Sequence, residues 1–141
     1  MRFKVKRHIF LWICFSCLFY FRVLAQDQKL ADSLAKIYEQ GNLPDEEKLE
    51  LLRNLSFNEM RDLDLGLRYA EELIDLSEKL GNDLYLYRGY LQKGNKIRYQ
   101  GDLDLALDAY FKSAQAAKKA KYKIGEGTTY IAVADVYSFS N

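Results

Sequence analysis

Apolar residues recur three or four positions apart along most of the chain, which is the spacing of one face of an α-helix. Strand-like alternation is absent, and Pro44 is the only proline. We therefore predict an all-α fold whose short connections pack successive helices antiparallel. The predicted helices run from Asp27 to Gln40, Pro44 to Glu59, Leu63 to Leu80, Leu84 to Gln100, Leu103 to Lys121 and Gly127 to Phe139.

Small and acidic residues mark the predicted turns. Gly41 and Gly101 suit the left-handed position that follows a helix. Asp62 and Asp102 stand where a carboxylate can cap the first amides of the next helix. The GEG at 125–127 lacks the strand and the Lys-Ser/Thr that a phosphate-binding loop requires, and it is expected to be a flexible segment before the last helix.

The chain repeats itself at a spacing of forty residues. "RDLDLGLRYA" at 61–70 returns as "GDLDLALDAY" at 101–110. A further shift of forty places Tyr90 on Tyr130 and Gly94 on Ala134. A period made of two helices and a tight turn is typical of a helical solenoid.

Residues 87–120 resemble a tetratricopeptide repeat. That family prefers a large aromatic residue, a small residue, a tight turn, and then a small and an aromatic residue, as here in Tyr90, Gly94, Gly101 with Asp102, Ala106 and Tyr110. Gly94 and Ala106 are expected to let two helices approach closely. The aromatic residues, together with Ile97, are expected to fill the wedge to the next helix pair. The forty-residue spacing is similar to the longer variety of bacterial signalling proteins.

The pattern divides residues 26–141 into two parts. Residues 26–46 form an N-terminal helix and connector, and residues 47–141 form the repeats, with copies at 47–86, 87–126 and a partial copy at 127–141. The partial copy has no second helix, so we expect its apolar side to be exposed and the chain to belong to a longer protein.

Residues 1–25 are predicted to be a secretory signal peptide. They contain five basic residues, no acidic residue, an apolar run, and Ala25 as a cleavage position. The alternative is an uncleaved membrane anchor, although the apolar run is shorter than the roughly 20 residues of a membrane span. The protein is therefore expected to be exported.

Removal of this segment changes the available chemistry. Residues 26–141 retain 16 of the 21 Lys and Arg residues and all 20 Asp and Glu residues, giving a net charge of −4. They contain no Cys and no His, which excludes a disulfide, a thiolate nucleophile, a Ser-His-Asp triad and a Cys/His metal site. No catalytic, cofactor-binding or metal-binding residue is predicted, and the negative charge disfavours nucleic acid as a partner.

The resemblance implies a partner-binding concave face lined by the first helix of each copy. The implied residues are Lys48, Leu51, Leu55, Asn58, Arg88, Leu91, Gln92, Asn95, Arg98, Tyr99, Thr128, Ile131 and Asp135. The family's clamp for a peptide carboxylate wants Lys and Asn roughly where Leu51 and Leu55 stand, so chaperone-tail binding is disfavoured. Arg88 and Arg98 are the predicted polar anchors for a protein or peptide, with homo-oligomerisation left open.

The predicted function is an exported, non-catalytic interaction module that forms the sensory part of a longer bacterial signalling protein. Two alternatives stay open. One is a freestanding secreted scaffold, and the other is the regulatory arm of an enzyme, such as a nucleotide cyclase or a histidine kinase, whose catalytic domain lies downstream.

Overall fold

The computed structural model describes residues 28–139, with side chains described up to residue 138. The predicted signal peptide at 1–25 lies outside the described residues. Between 28 and 139 the chain is all-helical, as predicted from the apolar spacing. The helices are α1 over 28–40, α2 over Asp45–Asn58, α3 over Leu63–Leu80, α4 over Asp83–Gln100, α5 over Leu103–Lys119 and α6 over Lys123–Phe139.

The predicted start of α6 is wrong. The helix begins at Lys123, so Gly125 lies inside it and is buried. A Cβ atom on Gly125 would lie 2.5 Å from Cδ1 of Tyr122 and 2.9 Å from Cζ of Tyr87. This glycine is therefore needed for close packing against two tyrosines, and not for flexibility before the helix.

The predicted caps are confirmed. The Asp62 side chain accepts a hydrogen bond from the backbone amide of Leu65 at 2.9 Å, and Asp102 accepts one from Leu105 at 3.0 Å. These bonds satisfy amides that open α3 and α5 and that have no partner within the helix. Gly101 ends α4 with φ of 95°, a left-handed conformation that glycine adopts without strain.

The helices pack in a simple order. Each of α2 to α5 contacts the next helix along the chain, and α4 also contacts α2 on one side and α6 on the other. Among these described helices α3 and α5 do not contact each other. On one side of the stack, α4 is therefore in contact with both α2 and α6. On the opposite side, a gap separates α3 from α5.

Two clusters of buried apolar side chains hold the stack together. The first is centred on Leu52, Leu55 and Leu73 of α2 and α3, with side chains of α1 such as Leu34 packed against it. The second is built from α4, α5 and α6 around residues that include Tyr110. The burial of apolar surface in these clusters is the main force that holds the helices together.

The close approach of α4 and α5 depends on Gly94, as predicted. A Cβ atom there would lie 2.5 Å from Cε1 of Tyr110, and both Tyr110 and Ala106 are fully buried. Tyr110 thus covers Gly94 within its own helix pair. Ile97 is buried, and Tyr90 is half-buried with its hydroxyl 3.4 Å from Oε1 of Glu78 in the preceding helix pair.

A buried lysine joins the first helix pair to the second. Lys96 of α4 is 1% exposed, and its Nζ donates a hydrogen bond of 2.6 Å to the backbone carbonyl of Glu59. The stem passes Gly66 of α3, where a Cβ atom would lie 2.7 Å from the Lys96 Cε. Burial lowers the pKa of Lys96 from its usual 10.5 to about 8, and the neighbouring Glu59 opposes this change.

Candidate functional site

The candidate site lies on the side of the stack where α2, α4 and α6 are neighbours, which we call the α2–α4–α6 face. Arg88 of α4 reaches Glu50 of α2, with 3.7 Å between Nη1 and Oε2. Arg98 of α4 and Asp135 of α6 are both close enough to the Tyr110 hydroxyl to influence its pKa. Arg88 thus lies at the contact between α4 and α2, whereas Arg98 lies nearer the other end of α4, beside Tyr110 of α5.

Several predicted partner-binding residues are buried instead. Exposed fractions are at most 9% for Leu51, Leu55, Asn58, Leu91 and Gln92. Leu55 is completely buried, so it has no surface to offer a partner, and its assignment to an open face is corrected. The physical reason is that α1 and α3 both pack against the cluster that contains the two α2 leucines. The accessible face is therefore narrower than predicted.

The remaining predicted residues keep accessible surface. Tyr99, Ile131 and Asp135 are exposed, as is Thr128, while Arg88, Asn95 and Arg98 are half-buried. The Lys48 side chain is directed toward α3, where its Nζ lies 2.7 Å from Oε1 of Glu72. The accessible part of the face is thus formed mainly by α4 and α6.

Glu50 is the centre of a polar cluster that the sequence analysis missed. Its carboxylate accepts hydrogen bonds of 3.1 Å from Arg53 Nε and of 2.9 Å from the Tyr85 hydroxyl. The hydrogen bonds from Arg53, and then from Tyr85, hold the pKa of Glu50 below its usual value. Arg88 completes the cluster, with its guanidinium carbon 4.9 Å from the centre of the Tyr85 ring. Arg88 is therefore already engaged in joining α4 to α2.

Arg98 has a different environment. Its Nε is buried without a hydrogen-bond partner, and none of the described ion pairs includes it. The guanidinium carbon lies 4.8 Å from the centre of the Tyr99 ring, and Tyr99 is 52% exposed. An aromatic ring beside a cation with an unsatisfied donor can bind a carboxylate that carries an apolar neighbour.

The polar floor beside Arg98 is ordered by Tyr110. The Tyr110 hydroxyl donates a hydrogen bond of 2.9 Å to Oδ1 of Asn95. Burial raises the pKa of Tyr110, and the Arg98 guanidinium opposes this rise. The hydroxyl therefore stays protonated at neutral pH and fixes the orientation of the Asn95 amide. No sequence motif shows this contact, because it joins residues on two helices.

Between residues 28 and 139, no cluster of three or more His, Cys, Asp and Glu side chains is arranged to hold a metal ion. In the same range, no helix combines the length and the apolar character that a membrane span requires.

Comparisons with known proteins add no family to this picture. No protein-family model matches the sequence, and no curated protein matches it either. The resemblance to tetratricopeptide repeats rests on the residues quoted above and stays a prediction.

Proposed function

We propose that this chain is an exported protein–protein interaction module of the tetratricopeptide-like solenoid type, without catalysis in this segment. The α2–α4–α6 face is its binding surface. Its preferred partner is a protein segment that carries a carboxylate next to an apolar residue.

The observation that supports this proposal most is the state of Arg98. None of the described ion pairs includes this arginine, and charge-assisted hydrogen bonds from arginine to a carboxylate are among the stronger ones in proteins. A partner carboxylate would pair with the accessible part of the half-buried Arg98, and the exposed ring of Tyr99 would supply contact area. Ile131, at 66% exposure, offers further apolar surface on α6.

Peptide selection tests the proposal. Panning of a random peptide library against the protein is expected to enrich peptides with Asp, Glu or a free carboxyl terminus beside an apolar residue. Binding of a selected peptide, measured by fluorescence polarisation, is expected to weaken about tenfold or more in Arg98→Glu.

Arg88→Glu is the matched control, because it reverses a charge on the same helix. This variant is expected to weaken the peptide less, since Arg88 already pairs with Glu50. Equal losses in the two variants would indicate a general charge effect, and an unchanged affinity in Arg98→Glu would contradict the proposal.

We also propose that the module is the sensory part of a longer signalling protein. An apolar side of α6 supports this idea, because Ala134 is exposed whereas its counterpart Gly94 is covered by Tyr110. The neighbouring coding sequence is expected to contain an apolar stretch of about 20 residues and an output domain. A polar capping helix followed by a stop codon would contradict it.

Export has its own test. Amino-terminal sequencing of the protein from the producing cell is expected to begin at Gln26. A chain that retains residues 1–25 in a membrane fraction would favour the uncleaved anchor instead.

A further inference from the structure

A second surface lies on the opposite side of α4, in the groove between α3 and α5. The groove exists because α3 and α5 flank α4 without a close approach of their backbones. Its volume is about 690 Å³, which lies within the range of ligand-binding clefts. Tyr90, Lys93, Ile97 and Gln100 of α4 form its floor. These residues span ten positions, which corresponds to a length of about 15 Å.

The floor and walls carry apolar surface. Ile74 of α3 and Ile97 of α4 are 7% exposed at the bottom of the groove. Leu105 of α5 lies on the wall and is 57% exposed. A leucine exposed to this extent inside a groove can be covered by a ligand at a gain of about 25 cal/mol per Å² of apolar surface.

The groove is also strongly acidic. Five carboxylates and two lysines line it, giving a net charge of −3. Both lysines are already paired, Lys93 with Glu71 at 2.7 Å and Lys112 with Asp108 at 2.6 Å. Because partly exposed ion pairs of this kind contribute only about 0–1 kcal/mol, they can rearrange around an incoming cation.

Three carboxylates of the groove have no basic partner among the described residues. They are Asp75 and Glu78 on α3 and Asp102 on α5. Glu78 lies only near a neutral group, since its Oε1 is 3.4 Å from the Tyr90 hydroxyl. Asp102 caps α5 by accepting a hydrogen bond from the backbone amide of Leu105. Carboxylates are thus present on both walls, above a floor that combines the apolar Ile97 with polar side chains.

We propose that the α3–α5 groove is a docking site for a short cationic segment of a partner protein, in which apolar residues alternate with lysine or arginine. The apolar side chains cover Leu105 and the floor, and the cationic side chains reach Asp75, Glu78 and Asp102. At about 3.3 Å per residue, roughly five residues of extended chain fill the groove. This site is independent of the α2–α4–α6 face and selects the opposite charge.

The test uses a short fluorescein-labelled peptide of alternating leucine and lysine, titrated with the full chain. The Asp75→Lys/Glu78→Lys variant is expected to bind it about tenfold or more weakly, and Leu105→Ser about threefold more weakly. A peptide of alternating leucine and glutamate is expected not to bind the groove.

The matched control is Glu39→Lys/Glu46→Lys, which changes the net charge equally at exposed positions outside the groove. Affinity within about twofold of the wild-type value is expected for it. Equal weakening in both double variants would show nonspecific attraction to a negative domain and overturn the proposal. An unchanged affinity in Leu105→Ser would overturn it as well.

Arg98→Glu separates this inference from the proposed function. It is expected to leave binding of the leucine–lysine peptide unchanged, because Arg98 does not line the groove. A clear change in affinity for this peptide in Arg98→Glu, most simply a gain from the added carboxylate, with retention in Asp75→Lys/Glu78→Lys, would place the peptide on the other face and overturn the groove proposal.

Discussion

The junction between the first and second helix pairs and the junction between the second and third use the same positions with different chemistry. At the first junction, Gly66 leaves room for the buried stem of Lys96. Forty residues later the corresponding positions hold Ala106 and Val136, which are 0% and 1% exposed and belong to one apolar cluster. The same two positions of the forty-residue repeat therefore form a polar junction in one case and an apolar junction in the other.

The difference shows how the size of one residue decides the chemistry of its neighbour. Gly66 of α3 leaves space for the Lys96 side chain to pass and reach the Glu59 carbonyl. An alanine removes that space, and the shorter Val136 fills what remains. The buried lysine is acceptable only because its ammonium group has hydrogen-bond acceptors.

The largest expected effect comes from placing the polar residue in the apolar junction. Val136→Lys would bury an ammonium group beside Ala106 in an apolar cluster. We expect a loss of about 3 kcal/mol or more in the free energy of unfolding, measured by urea denaturation. A loss below about 1 kcal/mol would mean that the two junctions do not differ in polarity as described.

The second prediction concerns pH. Because the pKa of Lys96 is lowered to about 8 in the folded protein, the unfolded chain holds this proton up to a higher pH. The free energy of unfolding is therefore expected to rise by about 2 kcal/mol between about pH 7 and 9.5. Denaturation at several pH values up to about 9.5 measures this rise before most tyrosines lose their protons.

The control for the pH prediction is Lys96→Met, which keeps an unbranched side chain and removes the titrating group. This variant is expected to lose most of the rise. A rise of equal size in Lys96→Met would assign the pH dependence to other groups.

The third prediction exchanges the small residues. Gly66→Ala gives the first junction the alanine of the second, but its Cβ would lie 2.7 Å from Lys96 Cε and 2.9 Å from the Glu59 carbonyl oxygen. We expect a loss of about 1–2 kcal/mol in the free energy of unfolding. In the Lys96→Met background, no lysine holds the Glu59 carbonyl in place. We therefore expect Gly66→Ala to lower the free energy of unfolding by a smaller amount in that background. Strictly additive effects would contradict the direct contact between the two residues.

The smallest effect concerns a feature that both pairs share. Asp62→Ala and Asp102→Ala each remove one cap bond of similar length. Each is expected to cost about 1 kcal/mol, as measured by thermal or urea denaturation. Unequal losses would show that the turns differ as well as the junctions.

Local patterns predicted much of this architecture. Helix spacing, the caps at Asp62 and Asp102 and the small residues at Gly94 and Ala106 depend on nearby residues or on the forty-residue register, so they could be predicted. The start of α6 could not be predicted, because a glycine at this place in the sequence indicates a turn. Only the structure shows that the Tyr87 ring lies against Gly125 inside the helix.

Long-range contacts explain the other differences. Lys96 was not predicted to be buried, since lysine is usually exposed and its acceptor is a backbone carbonyl on a distant turn. One signal was present, because a shift of forty places it on Ser56, which is also buried. Leu55 was assigned to an open face because the contribution of α1 to the core has no counterpart in the repeat pattern.

Both proposed binding surfaces depend on how α5 lies against α4, and one measurement tests this arrangement directly. Nuclear Overhauser effects are predicted between the Gly94 Hα protons and the ring protons of Tyr110, together with an upfield ring-current shift of Gly94. Gly94 Hα protons at ordinary helical shifts, with the Tyr110 ring showing contacts to other residues only, would contradict the account.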